Sequence, residues 1–384
     1  MRTRHWASLL LMVLAAVMVA AMPKSLNAAP APNNSNRFGQ VNLVSDLPGV
    51  ARFMDPDLVN PWGIAFSPMT PIWVSDNGAG LATIYNGAGV KQGLVVSIPG
   101  PSGGPGAPTG QVFNPNAANF GGAFFMFATE DGTIAAWSGG TAANLPVNNS
   151  AAGSVYKGLA LATSGGNSYL YASDFHNNAI DVFNSSFTQV TLTGSFNDPS
   201  LPAGFAPFGI RAFGGQLYVT YAKQDAAKHD DVACPGCGFV DVFNTDGTFV
   251  RRLISMGALN SPWGLARAPG NFGKFSNDLL VGNFGDGTIN AFDPITGVQL
   301  GTLDGTDGMP LINQGLWGIA FGNGAQGTST STLYFTAGIP GPDKIEDHGL
   351  FGAIATPEPG SLTLLGGGLV SLLAYGWRRA KRTS

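Results

Sequence analysis

The run Asn60-Pro61-Trp62-Gly63-Ile64-Ala65-Phe66 returns along the chain, and its returns limit the possible architectures more than any other feature. Close echoes are Ala206-Pro207-Phe208-Gly209-Ile210, Ser261-Pro262-Trp263-Gly264-Leu265-Ala266 and Gly315-Leu316-Trp317-Gly318-Ile319-Ala320-Phe321. Weaker ones are Pro108-Thr109-Gly110-Gln111-Val112-Phe113 and Tyr156-Lys157-Gly158-Leu159-Ala160. The shared glycine falls at 63, 110, 158, 209, 264 and 318, at intervals of 47, 48, 51, 55 and 54 residues. A period of about 50 residues is the size of one four-stranded propeller blade.

Each interval divides into short apolar or alternating runs of strand length. In the first blade these are Trp62–Phe66, Ile72–Ser75, Ala82–Tyr85 and Gly93–Ile98. The second reads as Gln111–Phe113, Ala123–Ala128, Thr133–Trp137 and Ser154–Tyr156. The last offers only Trp317–Phe321, Thr332–Thr336 and Leu350–Ala355, one strand short, while Val41–Val44 near the N-terminus is one strand spare. Lending the spare strand to the last blade closes a ring and removes an exposed edge. The expectation is an all-β, six-bladed β-propeller over residues 40–355, preceded by a flexible lead-in at 30–39, with hydrophobic helices only at the two termini. Two polar insertions, Lys223–Gly238 in the fourth blade and Gly338–Gly349 in the sixth, leave their blades at the same point and so rise on one face. Such loops tend to carry function.

The two ends of the chain speak of export. Arg2, Arg4 and His5 precede an apolar stretch from Trp6 to Ala21 and then small residues to Ala31, the layout of a secretory signal peptide ending near Ala29. At the other end an apolar span over about residues 361–377 is followed by Arg378, Arg379, Lys381 and Arg382. That span is just long enough to cross a bilayer, and the basic cluster would remain cytoplasmic. Thr356-Pro357-Glu358-Pro359-Gly360-Ser361, the apolar span and Arg378-Arg379 together resemble the PEP-CTERM sorting tail of Gram-negative bacteria. The resemblance covers residues 356–384. It implies processing by signal peptidase and by an exosortase, with Pro357, Glu358, Pro359, Arg378 and Arg379 as the processing signal. It further implies a precursor held transiently in the inner membrane, a mature form at the cell surface or outside the cell, and an association with exopolysaccharide.

The repeats resemble the NHL and gluconolactonase-like propellers. The matching pieces are second strands ending in Val74-Ser75-Asp76-Asn77 or Ala172-Ser173-Asp174, and third strands such as Ile180-Asp181-Val182-Phe183-Asn184. More closely, the exported part is similar to a family of uncharacterised bacterial propeller proteins, some of which carry the same tail. In gluconolactonase-like enzymes a divalent metal sits at the axis, where it polarises a lactone carbonyl.

Composition excludes some functions. Only 11% of residues are charged and the net charge is −4, so no basic footprint for nucleic acid exists. Aligning the ends of the second strands gives Asp76, Glu130, Asp174, Tyr221, Asn283 and Ala337. Asp76, Glu130, Asp174 and Asn283 are candidate ligands for Ca²⁺ or another divalent cation, although such residues also cap turns. The residues before the repeated glycines include Trp62, Phe208, Trp263 and Trp317. They are candidates either for stacking sugar rings near the axis or for packing between blades. In the first insertion, His229, Cys234 and Cys237 offer three readings: a disulfide that staples the loop, an incomplete zinc site, or a redox pair. No catalytic residue is assigned. The expected role is a non-catalytic binding protein of the cell surface or matrix, with a metal-dependent lactonase or a protein-interaction scaffold as alternatives.

Overall fold

A computed structural model describes residues 35–342 and 346–357. They form six antiparallel sheets, each built outward from one echo of the repeated motif. The innermost strands are Pro61–Ala65, Pro108–Phe113, Tyr156–Ser164, Phe205–Phe213, Pro262–Arg267 and Leu316–Phe321. In the sixth blade Leu350–Ala355 pairs antiparallel with the N-terminal strand Gly39–Ser45, which closes the ring as the strand count requires. A short parallel strand, Phe53–Met54, extends that sheet to five. Among the described residues the only helical pieces are single turns such as Asn77–Ala79, and no helix is long and apolar enough to cross a membrane.

The glycine at the heart of the motif is explained by the distance between blades. A methyl group added at Gly63 would lie 2.4 Å from the carbonyl oxygen of Thr109, and one at Gly209 would lie 2.1 Å from that of Trp263. Gly264 stands in the same way against Trp317 at 2.5 Å, and Gly318 returns to Trp62 at 2.5 Å. None of these glycines has a positive φ, so what the position needs is room rather than an unusual backbone. Blades this close exchange hydrogen bonds across their boundary, from second strands as well as inner ones. Thr336 Oγ1 donates to the carbonyl of Trp62, Ser173 Oγ to that of Phe208 at 2.7 Å, and Gln111 Nε2 to that of Gly63 at 2.7 Å.

One apolar cluster fills each boundary between adjacent blades, and a seventh lies on the axis. The boundary between blades 6 and 1 is filled by Leu43, Ile64, Tyr85, Tyr334 and Phe351, so the N-terminal strand contributes to the core as well as to the ladder.

Two expectations are corrected. The fourth strand of blade 2 is Asn144–Asn148, and Ser154–Tyr156 is not part of that blade, because Tyr156 opens the inner strand of blade 3. The lead-in is anchored at its end: Phe38 is buried and stacks on Phe272 at 4.8 Å, and Asn36 donates to Asp304 at 2.7 Å. The expected signal peptide and apolar span, with Glu358, Pro359, Arg378 and Arg379, lie outside the described residues, and Pro357 is the last residue described.

Candidate functional site

Strand register shows which of the expected metal ligands are equivalent. Asp76 pairs with Pro61, Asp174 with Tyr156, Tyr221 with Pro207, Asn283 with Pro262 and Ala337 with Leu316. In blade 2 the residue opposite Pro108 is Thr129, so Glu130 lies one position further on. Glu130 therefore stands past the strand end, in the turn, where it meets Asn77 and Lys157 of the neighbouring blades, whereas Asp76, Asp174 and Asn283 are the last residues of their strands.

Those three are engaged locally. Asp76 is fully buried, accepts the Thr83 N–H at 3.0 Å, and has its carboxyl raised well above the ordinary range by burial. Asp174 accepts the N–H groups of Val155 and Asn177 and the side-chain amide of Asn177. Asn283 accepts from the Asn260 N–H at 3.1 Å and donates to the Ala258 carbonyl at 2.8 Å. The expected set of Asp76, Glu130, Asp174 and Asn283 is therefore not assembled around one point.

The aromatic set is assembled, as a plug. Trp62 and Trp317 stack with ring centroids 3.4 Å apart, and Phe284 covers the other side of Trp317 at 4.0 Å. Trp263 meets both tryptophans edge-on at 5.9 and 5.7 Å, and Phe208 leans on Trp317 at 5.7 Å. All four expected aromatics are buried, Trp263 most exposed at 8%. Their indoles also tie the blades together: Trp263 Nε1 donates to the Lys157 carbonyl at 3.1 Å, and Trp317 Nε1 to Asn60 Oδ1 at 3.2 Å. The plug closes the tunnel midway and leaves two separate mouths.

At the mouth beneath the two insertions, Lys157 occupies the position that is tryptophan or phenylalanine in four other blades. It is 1% exposed. Its ammonium forms an ion pair with Glu130 and a second with Asp230 at 3.2 Å, and lies 5.2 Å from the centre of the Trp62 ring. A buried ammonium demands such partners. Burial alone would lower the Lys157 pKa, but the two carboxylates outweigh it and hold it above the ordinary value. Burial likewise pushes Asp230 up, and the Lys157 charge together with a hydrogen bond from His229 overcomes it, leaving that carboxyl low. Glu130 is steadied by Asn77, whose side-chain amide donates at 2.8 Å.

Glu346, from the sixth-blade insertion, accepts the Trp317 indole N–H at 3.1 Å. Burial, reinforced by the charge of Glu130, pushes its carboxyl up to about 8, so it carries a proton at neutral pH. Burial also raises Asp231 to about 6. In the first insertion Cys234 and Cys237 are joined by a disulfide, with Cα atoms 5.3 Å apart. Glu130, His229 and Asp230 place ligand-type atoms within 4.8 Å of one another, the one such group among the described residues. The sequence reading missed Lys157 as a charge and Glu346 altogether. The signal available was a lysine at a position otherwise aromatic.

Comparisons with known proteins place this geometry. Residues 355–381 match the PEP-CTERM protein-sorting motif. Among solved structures, a glucose dehydrogenase superposes with a TM-score of 0.50 at 11% identity, covering 83% of this chain and 99% of that one, which supports the fold alone. The class is therefore a six-bladed, all-β propeller that carries a PEP-CTERM protein-sorting motif. Two proteins of Acanthamoeba polyphaga mimivirus are similar along most of the propeller. "Uncharacterized protein L690" is 34% identical over 82% of this chain and 85% of its own length. "Uncharacterized protein R648" is 33% identical over 82% and 80%. The chain belongs to the family of these proteins.

Proposed function

We propose that the chain is a non-catalytic binding protein of the cell surface or extracellular matrix, released there after signal peptidase and exosortase processing. Its insertion-side mouth would receive a polyhydroxylated ligand of the exopolysaccharide kind. The observation that carries this reading is the gathering of Glu130, Asp230 and Glu346 from three different blades around one buried lysine. Carboxylates accept hydrogen bonds from sugar hydroxyls, and a protonated Glu346 adds a donor. The buried tryptophans hold this polar floor in place and do not themselves stack on sugar. A pull-down with the exopolysaccharide of the producing organism tests the reading. Retention of wild-type protein and loss with Glu346→Ala and Asp230→Ala is expected; equal retention of all three overturns it.

A second reading, a divalent-metal-dependent lactonase, is favoured by the Glu130, His229 and Asp230 group. Against it stands the Lys157 ammonium, which already bridges two of those three side chains. Elemental analysis of the purified protein separates the two: stoichiometric Ca²⁺ or Zn²⁺, with lactone turnover that follows it, would replace the binding reading.

A further inference from the structure

The other mouth of the axis has a different chemistry. On that side of the plug the second halves of the inner strands enclose a cavity of about 340 Å³, with Trp263 among its walls. Its lining is mostly glycine and apolar side chains, including Ile64, Val112, Leu161 and Ile319, with the polar Gln111 and a single charged residue, Arg211. The positions equivalent to Arg211, two residues after the repeated glycine, are Ala65, Val112, Ala160, Ala266 and Ala320 in the other blades. The architecture thus asks for a small residue here, and blade 4 supplies the longest cation.

Among the described residues the guanidinium of Arg211 has no hydrogen bond, ion pair or aromatic partner. Every other buried or half-buried cation among the described residues has partners: Lys157 pairs with Glu130 and Asp230, Lys91 with Asp55 and Asp57, Arg252 with Asp198 and Asp241, and Arg251 donates to the carbonyls of Pro294 and Ile295. Arg211 lies deep among protein atoms, and burial lowers its pKa from the ordinary value, yet it remains partly exposed to the cavity. A guanidinium stays charged in any case, and its planar fork fits a carboxylate in a two-pronged hydrogen bond. Nearby, Gln111 uses its side-chain NH₂ on the carbonyls of Gly63 and Trp73 and leaves its Oε1 without a partner.

We propose that this cavity is a binding site for a small organic carboxylic acid, with Arg211 holding the carboxylate and the apolar walls holding the hydrocarbon body. The volume falls within the range of small-ligand sites, about 300–1,000 Å³. Bare phosphate or sulfate would satisfy the guanidinium but leave the walls of Ile64, Val112 and Leu161 uncovered, so an acid with an apolar body uses the whole cavity. The site is independent of the insertion-side mouth, from which the tryptophan plug divides it.

Titration calorimetry of the full chain with hexanoate, hexanol and inorganic phosphate tests this. Saturable one-to-one binding of hexanoate is expected, with hexanol and phosphate each weaker by roughly tenfold or more, the usual effect of losing a charged hydrogen bond or the apolar contacts. Arg211→Met should weaken hexanoate by a similar factor and leave hexanol unchanged, and Arg211→Lys should fall between. Absence of saturable hexanoate binding would overturn the proposal. So would hexanol or phosphate binding as tightly as hexanoate, or an unchanged affinity in Arg211→Met. If the Met variant does not fold, the ratio of hexanoate to hexanol on the unmodified protein decides alone.

Discussion

The two mouths of the propeller axis are built on the same six strands and separated by one layer of tryptophan, yet they treat charge in opposite ways. On the insertion side the buried Lys157 is enclosed by carboxylates from two other blades, one of them on the inserted loop that carries the disulfide. On the far side Arg211 stands in an apolar funnel with no partner from its own chain. The repeated strand dictates neither arrangement, since both cations sit where other blades have apolar or small residues. Architecture therefore accounts for the glycines and the plug, and the two departures from it mark where a ligand is to be sought.

The largest effect that would break this contrast is expected at Lys157. Replacing it with Met leaves Glu130 without its cation, and loss of one partner from a buried pair costs about 3–5 kcal/mol. Chemical denaturation should show that loss, and an unchanged midpoint would mean the pair is not buried as described. Gly209→Ala comes next. Its methyl group would lie 2.1 Å from the Trp263 carbonyl, so blades 4 and 5 must part, at a cost of about 1–3 kcal/mol by the usual scale of overpacking. Thermal unfolding checks this, and a neutral result would remove the close-approach explanation for the whole repeat.

A smaller effect is expected with pH. Glu346, Asp241 and Asp231 are raised in the fold to about 8, 7 and 6, so the folded state holds protons that the unfolded chain has released. Their contribution to stability is greatest below the ordinary carboxyl values and declines as pH rises toward about 8. The upper end of that window belongs to Glu346, and Glu346→Gln should flatten the dependence there. A melting profile of the variant parallel to wild type would contradict the assignment. The smallest effect is expected at Arg211, where Met should leave stability within about 0.5 kcal/mol of wild type, as for substitutions that break no partnership, or raise it.

Legibility in the sequence followed the physics of each region. The ring was readable because only glycine fits where inner strands nearly touch, and that requirement recurs at every blade. The outer strand of blade 2 was misplaced because Asn144-Leu145-Pro146-Val147-Asn148 looks like a loop; an outermost strand needs no further pairing and tolerates its proline. The expected metal set is not assembled because Asp76, Asp174 and Asn283 are spent on hydrogen bonds within their own blades, while Glu130, one residue past its strand in the turn, pairs with Lys157. Glu346 reaches Trp317 from a distant loop, a contact no local pattern encodes. The four aromatics share one cluster, and whether they would be exposed or packed depends on how closely the strands converge, which no local pattern states.

The most direct test of the enclosed-cation account is a double-mutant cycle between Lys157→Met and Glu130→Gln, read by denaturant unfolding. Residues that share a buried ion pair should couple by about 0.5–3 kcal/mol, so the double variant should be more stable than the two single losses added together. Strictly additive losses would show that Lys157 and Glu130 do not form a pair between blades 2 and 3, and the contrast between the two mouths would fall with it.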